Sequence, residues 1–228
     1  MRGVGAMAIA LAASIAIQNA VFVGVGAPGY GDPIEEVFAF HTQNRVAVAI
    51  AVGHEALNLP LLLGFLTGLH GLVARRGGAG ADWSRFAVAA GATLSAVWAL
   101  YAVLWIGVVL SAGELAAPSP AFELAWQLHA AAFALALPAL GTTFIGAAVA
   151  ARTSRLTPPW QHLLGVVGGG LLITAGAAPL AIADGSAFLF VGLPGSPPGS
   201  CGCWRPAYDW CAPPADRPDH AWTYGDEE

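Results

Sequence analysis

The feature that most constrains the fold is a set of four long stretches that contain no Asp, Glu, Lys or Arg. They are residues 3–31, 86–113, 124–151 and 156–183, and each holds at least 28 residues. A helix that crosses the hydrocarbon core of a bilayer needs about 20 mostly apolar residues. Only 10% of the chain is charged, whereas soluble domains carry about 25% charged residues. The sequence therefore predicts an all-α fold, a polytopic transmembrane helix bundle.

We predict five membrane spans in a bundle that covers residues 1–193. They lie at residues 5–26, 47–74, 85–111, 122–151 and 161–183. The first resembles a signal peptide, but its apolar run is longer than the roughly 7 to 15 residues of such peptides, so we expect an uncleaved span. Residues 186–193 begin a sixth segment that Pro194 truncates, because eight helical residues extend only about 12 Å.

The remaining residues, 194–228, form a separate Pro- and Cys-rich tail. They contain seven Pro and all three Cys of the chain. No apolar periodicity is present that could build a core, which is typical of disorder. The sequence therefore predicts a disordered tail after the helix bundle.

The arginines of residues 1–193 predict the orientation of the bundle. Short cytoplasmic loops of membrane proteins collect Lys and Arg, whereas Asp and Glu have little influence. With the N-terminus in the cytoplasm, only Arg45 falls on the outer side. The arginines on the cytoplasmic side are then Arg2, Arg75, Arg76, Arg85, Arg152 and Arg155. The sequence therefore predicts a multi-pass protein of the cell membrane with a cytoplasmic N-terminus.

Polar side chains occur at a similar depth in three of the predicted spans, about two helical turns below the outer surface. The second span contains His54, Glu55 and Asn58, and ionisable groups inside a membrane are costly and often functional. The first and fourth spans contribute further polar groups at that depth. We predict an outward-opening binding pocket, with Trp105 nearby, that is lined by Gln18, Asn19, His54, Glu55, Asn58, Gln127 and His129.

Three interpretations of these residues remain open. They can form interhelical hydrogen bonds that fix the bundle, or line a pocket for a small molecule, a metal ion or a proton. Alternatively, His54 and His129 can ligate a b-type haem, which requires both imidazoles to face one cavity. Three further histidines of residues 1–193, His41, His70 and His162, are predicted to lie at the membrane interfaces.

The rest of the sequence contains few residues that indicate a catalytic or nucleotide-binding function. We find no nucleophile with a paired base and no Gly-rich phosphate loop, so no catalytic residue is predicted. The lack of a basic patch argues against nucleic acid, which leaves the lipid bilayer as the predicted partner. The main functional hypothesis is a non-enzymatic integral membrane protein that binds a small-molecule ligand. The alternatives are a small transporter or proton-coupled carrier, and a haem- or metal-binding membrane oxidoreductase.

Four short strings carry a resemblance to a known family. They are LHAAAF at residues 128–133, LPALG at 137–141, IADGS at 182–186 and VGLPG at 191–195. Across residues 5–195 the chain resembles actinobacterial members of the DUF4386-type family of bacterial membrane proteins, which has no established activity. The resemblance implies six helices, the last beginning near Ser186, and cytoplasmic termini.

The sequence departs from that family pattern after Gly195. A sixth apolar span would continue there, but the chain reads SPPGSC at residues 196–201 and then mixes Pro, Trp, Cys and Asp. We hypothesise a frameshift that replaced the last helix with out-of-frame residues. An apolar stretch in another reading frame of the gene would confirm it, and its absence would make the tail genuine.

Overall fold

The computed structural model describes residues 2–185, which are 85% helical and contain no strand. The predicted sixth segment and the tail lie outside the described residues. The described helices, in chain order, are α1 (Arg2–Val25), α2 (Ile34–Gln43), α3 (Arg45–Ala74), α4 (Gly80–Glu114), α5 (Pro120–Thr153), α6 (Pro159–Gly176) and α7 (Pro179–Ala183).

Four helices within residues 2–185 are long and apolar enough to cross a membrane: α1, α3, α4 and α5. They coincide with the first four predicted spans, although α4 begins five residues earlier than predicted. The fold is therefore an all-α helix bundle, and its helices identify a multi-pass membrane protein. Helix α6 is shorter, with 18 residues, and packs along α5.

The fifth predicted span, residues 161–183, is not one continuous helix. Helix α6 ends at Gly176, and the short helix α7 begins at Pro179. Proline disfavours the helical conformation in the residue before it, and Ala178 accordingly has φ −116° and ψ 59°. The apolar composition of this stretch concealed the break.

Helix α2 lies in the connection between α1 and α3, where we predicted only a loop. Pro33 precedes it, and Glu35 and Glu36 in its first turn interact favourably with the helix dipole. Its inner face buries Val37 and Phe38 in an apolar cluster with residues of α4 and α5, namely Val108, Ala112, Phe122 and Trp126. Helix α2 is therefore an integral part of the bundle.

The connections of the bundle collect at two ends. Helix α2 packs where α4 ends and α5 begins. At the opposite end, Arg76 Nη1 donates a hydrogen bond to the Ser154 carbonyl and joins the α3–α4 and α5–α6 connections. Val4, near the start of α1, packs against Gly68 of α3 at this same end. The segments that contain the six predicted cytoplasmic arginines thus share one end.

Ser119 begins α5, and its side chain accepts a hydrogen bond from the Phe122 backbone N–H at 3.3 Å. We expect Ser119→Ala to lower the free energy of unfolding by about 1 kcal/mol, because it removes this N-terminal cap. Thermal unfolding in detergent measures the change. Ser119→Asp is the control and should retain wild-type stability, because aspartate is also a good cap; equal stability of all three proteins would contradict the prediction.

Candidate functional site

Three polar side chains meet between α1 and α3, and we call them the carboxyl–amide cluster: Gln18, Glu55 and Asn58. Each is at most 7% exposed. Gln18 Nε2 donates to Glu55 Oε1, and Asn58 Nδ2 donates to Gln18 Oε1 at 3.3 Å. The cluster is therefore a chain of hydrogen bonds across a helix interface.

The spacing of these residues explains why they meet. Glu55 and Asn58 are three residues apart and share the face of α3 that packs on α1. Farther along the same interface, Gly64 and Gly68 of α3 receive the side chains of Met7 and Val4. Small residues allow membrane helices to approach closely, and this approach brings the polar side chains into contact.

Within residues 2–185, two buried oxygens of the carboxyl–amide cluster, Glu55 Oε2 and Asn58 Oδ1, accept no hydrogen bond of good geometry. The side chains of Trp98 and Asn58 nevertheless lie close to the Glu55 carboxyl group. The ion pair within residues 2–185 joins Arg85 and Asp82 on the surface at 3.4 Å, and no cationic side chain of the described chain pairs with Glu55. The cluster thus presents acceptor oxygens and an uncompensated carboxyl group.

His54 makes a second polar contact across the same interface. Its Nδ1 lies 2.9 Å from the Ser14 hydroxyl, and the histidine is partly buried. Ser14 lies one turn before Gln18 on α1, so both face α3. His54 therefore adjoins the carboxyl–amide cluster without hydrogen bonding to it.

A second group of side chains, all buried except the partly buried Tyr30, lies toward the end of the bundle that holds α2. We call it the histidine–aromatic cluster, and it consists of Tyr30, His41, Tyr101, Trp105, Trp126 and His129. The His129 ring stacks on Tyr101 at 4.1 Å and on Trp126 at 5.2 Å between ring centroids. Its Nδ1 donates to the Tyr101 carbonyl at 3.1 Å. The His129 ring is thus held in place by stacking on Tyr101 and on Trp126.

His41 links α2 to this cluster through both ring nitrogens. Nδ1 donates to the Val37 carbonyl at 2.7 Å, so Nε2 is the acceptor for Trp105 Nε1–H at 3.2 Å. Burial lowers the pKa of His41, and the hydrogen bond to Val37 opposes this effect. The geometry therefore requires the neutral imidazole.

Tyr30 is a partly buried member of the histidine–aromatic cluster. Its ring is 5.8 Å from that of His129, in an edge-to-face arrangement. Burial raises the pKa of the Tyr30 hydroxyl, and the Tyr101 hydroxyl beside it opposes this effect. Tyr30 therefore packs the connection between α1 and α2 against α5.

The structure divides the residues of the predicted pocket. Gln18, Glu55 and Asn58 come together, His54 adjoins them, and His129 belongs to the histidine–aromatic cluster. Asn19 and Gln127 are exposed and bond within their own helices, to the Ile15 carbonyl at 2.8 Å and to Glu123 Oε1 at 3.3 Å. Their side chains point away because neighbouring helical positions are about 100° apart. The structure thus brings together three of the seven predicted residues, with His54 beside them.

Two cavities accompany these clusters, and none of the seven predicted residues lines either one. The smaller, about 30 Å³, is apolar and contacts Trp98, Tyr101 and Phe133. The larger, about 410 Å³, lies between the end of α1 and the start of α3.

Metal and haem ligation find little support in this arrangement. Residues 2–185 contain no group of three His, Cys, Asp or Glu side chains placed to hold a metal ion. His54 and His129 belong to different clusters, and Tyr101 and Trp126 stack on the His129 ring. A haem bound between the two histidines would have to displace this packing.

Sequence reasoning missed His41, Tyr30 and Ser14. We predicted His41 at the membrane interface; the structure adds that its side chain is buried against the bundle and is only 2% exposed. The apolar positions Val37 and Phe38 lie four and three residues before His41, a spacing that predicts one buried helical face. That signal was available in the sequence, whereas nothing in the sequence paired Ser14 with His54.

Comparisons with protein-family models, curated proteins and solved structures found no match to this chain.

Proposed function

We propose that this multi-pass membrane protein lies in the cell membrane with its N-terminus in the cytoplasm and binds a small ligand at the carboxyl–amide cluster. The ligand is a cation or a hydrogen-bond donor, and the proton is the smallest of this class. The shared end of the arginine-rich connections supports the orientation, because such loops stay in the cytoplasm. Membership of the DUF4386-type family remains a prediction.

The observation that carries the proposal is a pair of buried oxygens, Glu55 Oε2 and Asn58 Oδ1, that find no hydrogen-bond partner among residues 2–185. A buried acceptor without a partner costs about 1 to 3 kcal/mol, and more when it is charged. A bare carboxylate is especially unfavourable in the membrane interior. A bound proton or cation would remove this free-energy cost, so burial favours binding of a proton or cation at Glu55.

Interhelical hydrogen bonding is the structural alternative, and it explains part of the cluster. It accounts for Gln18, for Glu55 Oε1 and for Asn58 Nδ2. It leaves Glu55 Oε2 unexplained, because an amide side chain at this position would hold α1 without introducing an ionisable group. The two interpretations therefore differ in whether Glu55 exchanges a proton or cation.

Modification with dicyclohexylcarbodiimide tests the proposal. This apolar reagent reacts with protonated carboxyl groups, so in liposomes at about pH 7 we expect adduct formation at Glu55, whereas exposed carboxyls ionise near pH 4. Peptide mass spectrometry locates the adduct. Glu55→Gln should abolish it, and the exposed Glu35 and Glu36 should remain unmodified.

A second arm of the experiment identifies the ligand. If sodium ions suppress the modification at constant pH, the site binds a metal cation; if only raised pH suppresses it, the site exchanges a proton. An adduct that forms equally under all these conditions, or no adduct at Glu55, would contradict the proposed binding function.

A proton-coupled carrier is the second candidate, favoured by the position of α1. This helix packs mainly on α3, with Phe22 contacting Trp105 of α4 at 5.0 Å between ring centroids. A shift of α1 would therefore expose Glu55 without unpacking the other helices. Proton uptake by proteoliposomes tests this candidate: it requires uptake by the wild type and loss of uptake by Glu55→Gln.

A further inference from the structure

The larger cavity is an open groove at the membrane surface, on the end of the bundle that holds α2. We call it the outer groove. Its volume is about 410 Å³, and its lining residues are Val21, Gln43, Asn44, Arg45, Val46, Ala47 and Ile50. It therefore combines a cationic side chain and two amides with an apolar wall.

Arg45 supplies the positive charge of the outer groove. It is exposed and makes no ion pair within the described part of the chain. Its guanidinium lies over Gly113 at the end of α4, where an added Cβ would be 2.7 Å from Nη1. A side chain at Gly113 would displace the guanidinium. Because Gly113 is not among the lining residues, the charge of Arg45 lies at the rim of the groove, on the side of α4.

The start of α3 adds a partial positive charge at the same place. Asn44 precedes the helix, but its Nδ2 donates to the Phe40 carbonyl and its side chain does not cap α3. The uncapped N–H groups of a first turn attract anions. Charge complementarity therefore favours an anionic group beside Arg45.

The rest of the outer groove is apolar and continues along the outside of the bundle. Val46 is 76% exposed and Ile50 is 47% exposed. Ile50 lies four residues beyond Val46 on α3, so the two share one face. In a membrane this face contacts acyl chains, directly below the anion-binding end of the groove.

We propose that the outer groove binds a phospholipid of the outer leaflet, with its phosphate on Arg45 and an acyl chain along Val46 and Ile50. A phosphate forms two parallel hydrogen bonds with a guanidinium, which gives both strength and orientation. This site is independent of the carboxyl–amide cluster.

Native mass spectrometry of the full-length protein in detergent, titrated with phosphatidylglycerol, tests the site. We expect Arg45→Gln to weaken binding of the first lipid about tenfold, because it removes the charge-assisted hydrogen bonds to the phosphate. The matched control is Arg152→Gln, which removes an exposed arginine at the opposite end and should leave this affinity unchanged. Equal effects of the two variants would overturn the proposal.

Two further measurements distinguish a lipid site from a bare anion site and from a nonspecific effect of surface charge. Inorganic phosphate at millimolar concentration should not displace the lipid; displacement would mean a bare anion site and overturn the assignment. Gly113→Leu keeps the charge of Arg45 but moves its guanidinium, so it should also weaken lipid binding. Lipid affinity unchanged in Gly113→Leu, with a wild-type melting temperature, would likewise overturn the proposal.

Discussion

Replacing Gly169 with alanine is expected to destabilise the bundle, whereas the same replacement at Gly168 should have little effect. A Cβ at Gly169 would lie 2.5 Å from the Gly141 carbonyl oxygen and 2.6 Å from Ile145 Cγ1. Neither distance is tolerated, and the carbonyl belongs to the rigid backbone of α5. Helix α6 must therefore move away from α5 to accommodate one methyl group.

Overpacking of this kind costs about 1 to 3 kcal/mol, because side chains and backbone have to shift together. Within residues 2–185 a Cβ at Gly168 meets no atom within 4 Å, so Gly168→Ala tests the same chemical change on the same helix without the clash. Thermal unfolding in detergent, followed by circular dichroism, should show a lower midpoint for Gly169→Ala alone. Equal midpoints for the two variants would mean that α5 and α6 are not closely packed.

Much of this bundle follows from the uncharged stretches. Length and hydropathy predict α1, α3, α4 and α5 because a membrane requires both in each spanning helix. The same criteria failed at residues 177–178, where the helix breaks inside an apolar stretch, and at α2, which is too short to be identified by a hydropathy search. Local signals, Pro179 and the buried face around Val37 and Phe38, identify these two elements.

Only one aspect of the candidate site, the depth of its residues in the bundle, could be predicted from the sequence. Counting residues from the helix ends gives depth, and depth correctly brought Gln18 near Glu55 and Asn58. Depth does not specify how a helix is rotated about its own axis. Asn19 and Gln127 were therefore placed in the site, although both are exposed. Rotation depends on packing details such as Met7 on Gly64, and no single-sequence pattern specifies which helices pair.

Acidification below about pH 6.5 is expected to destabilise the packing of α2 on the bundle through His41. The native contacts use neutral His41, with Nε2 accepting the Trp105 N–H at 3.2 Å. A proton on Nε2 would place two donors against each other and bury a charge. Burial accordingly lowers the pKa of His41 below its usual value of 6.5.

The sign of the pH effect follows from proton linkage. Where His41 is exposed by unfolding, its pKa returns to the usual value, so the unfolded form binds more protons than the native form below about pH 6.5. The stabilisation is complete above that pH. It decreases by up to about 1.4 kcal/mol for each pH unit below it, until the pKa of the folded state is reached.

The melting temperature in detergent between about pH 8 and pH 5 measures this effect. His41→Gln is the matched control, because glutamine can accept the Trp105 hydrogen bond but cannot be protonated in this range. His129, Tyr30 and Tyr101, the titratable groups of the same cluster, are present in both proteins, so the difference between the two curves isolates His41. If the Gln variant loses stability on acidification as steeply as the wild type, another group is responsible. A flatter curve for the variant would show that protonation of His41 weakens the contact between α2 and α4.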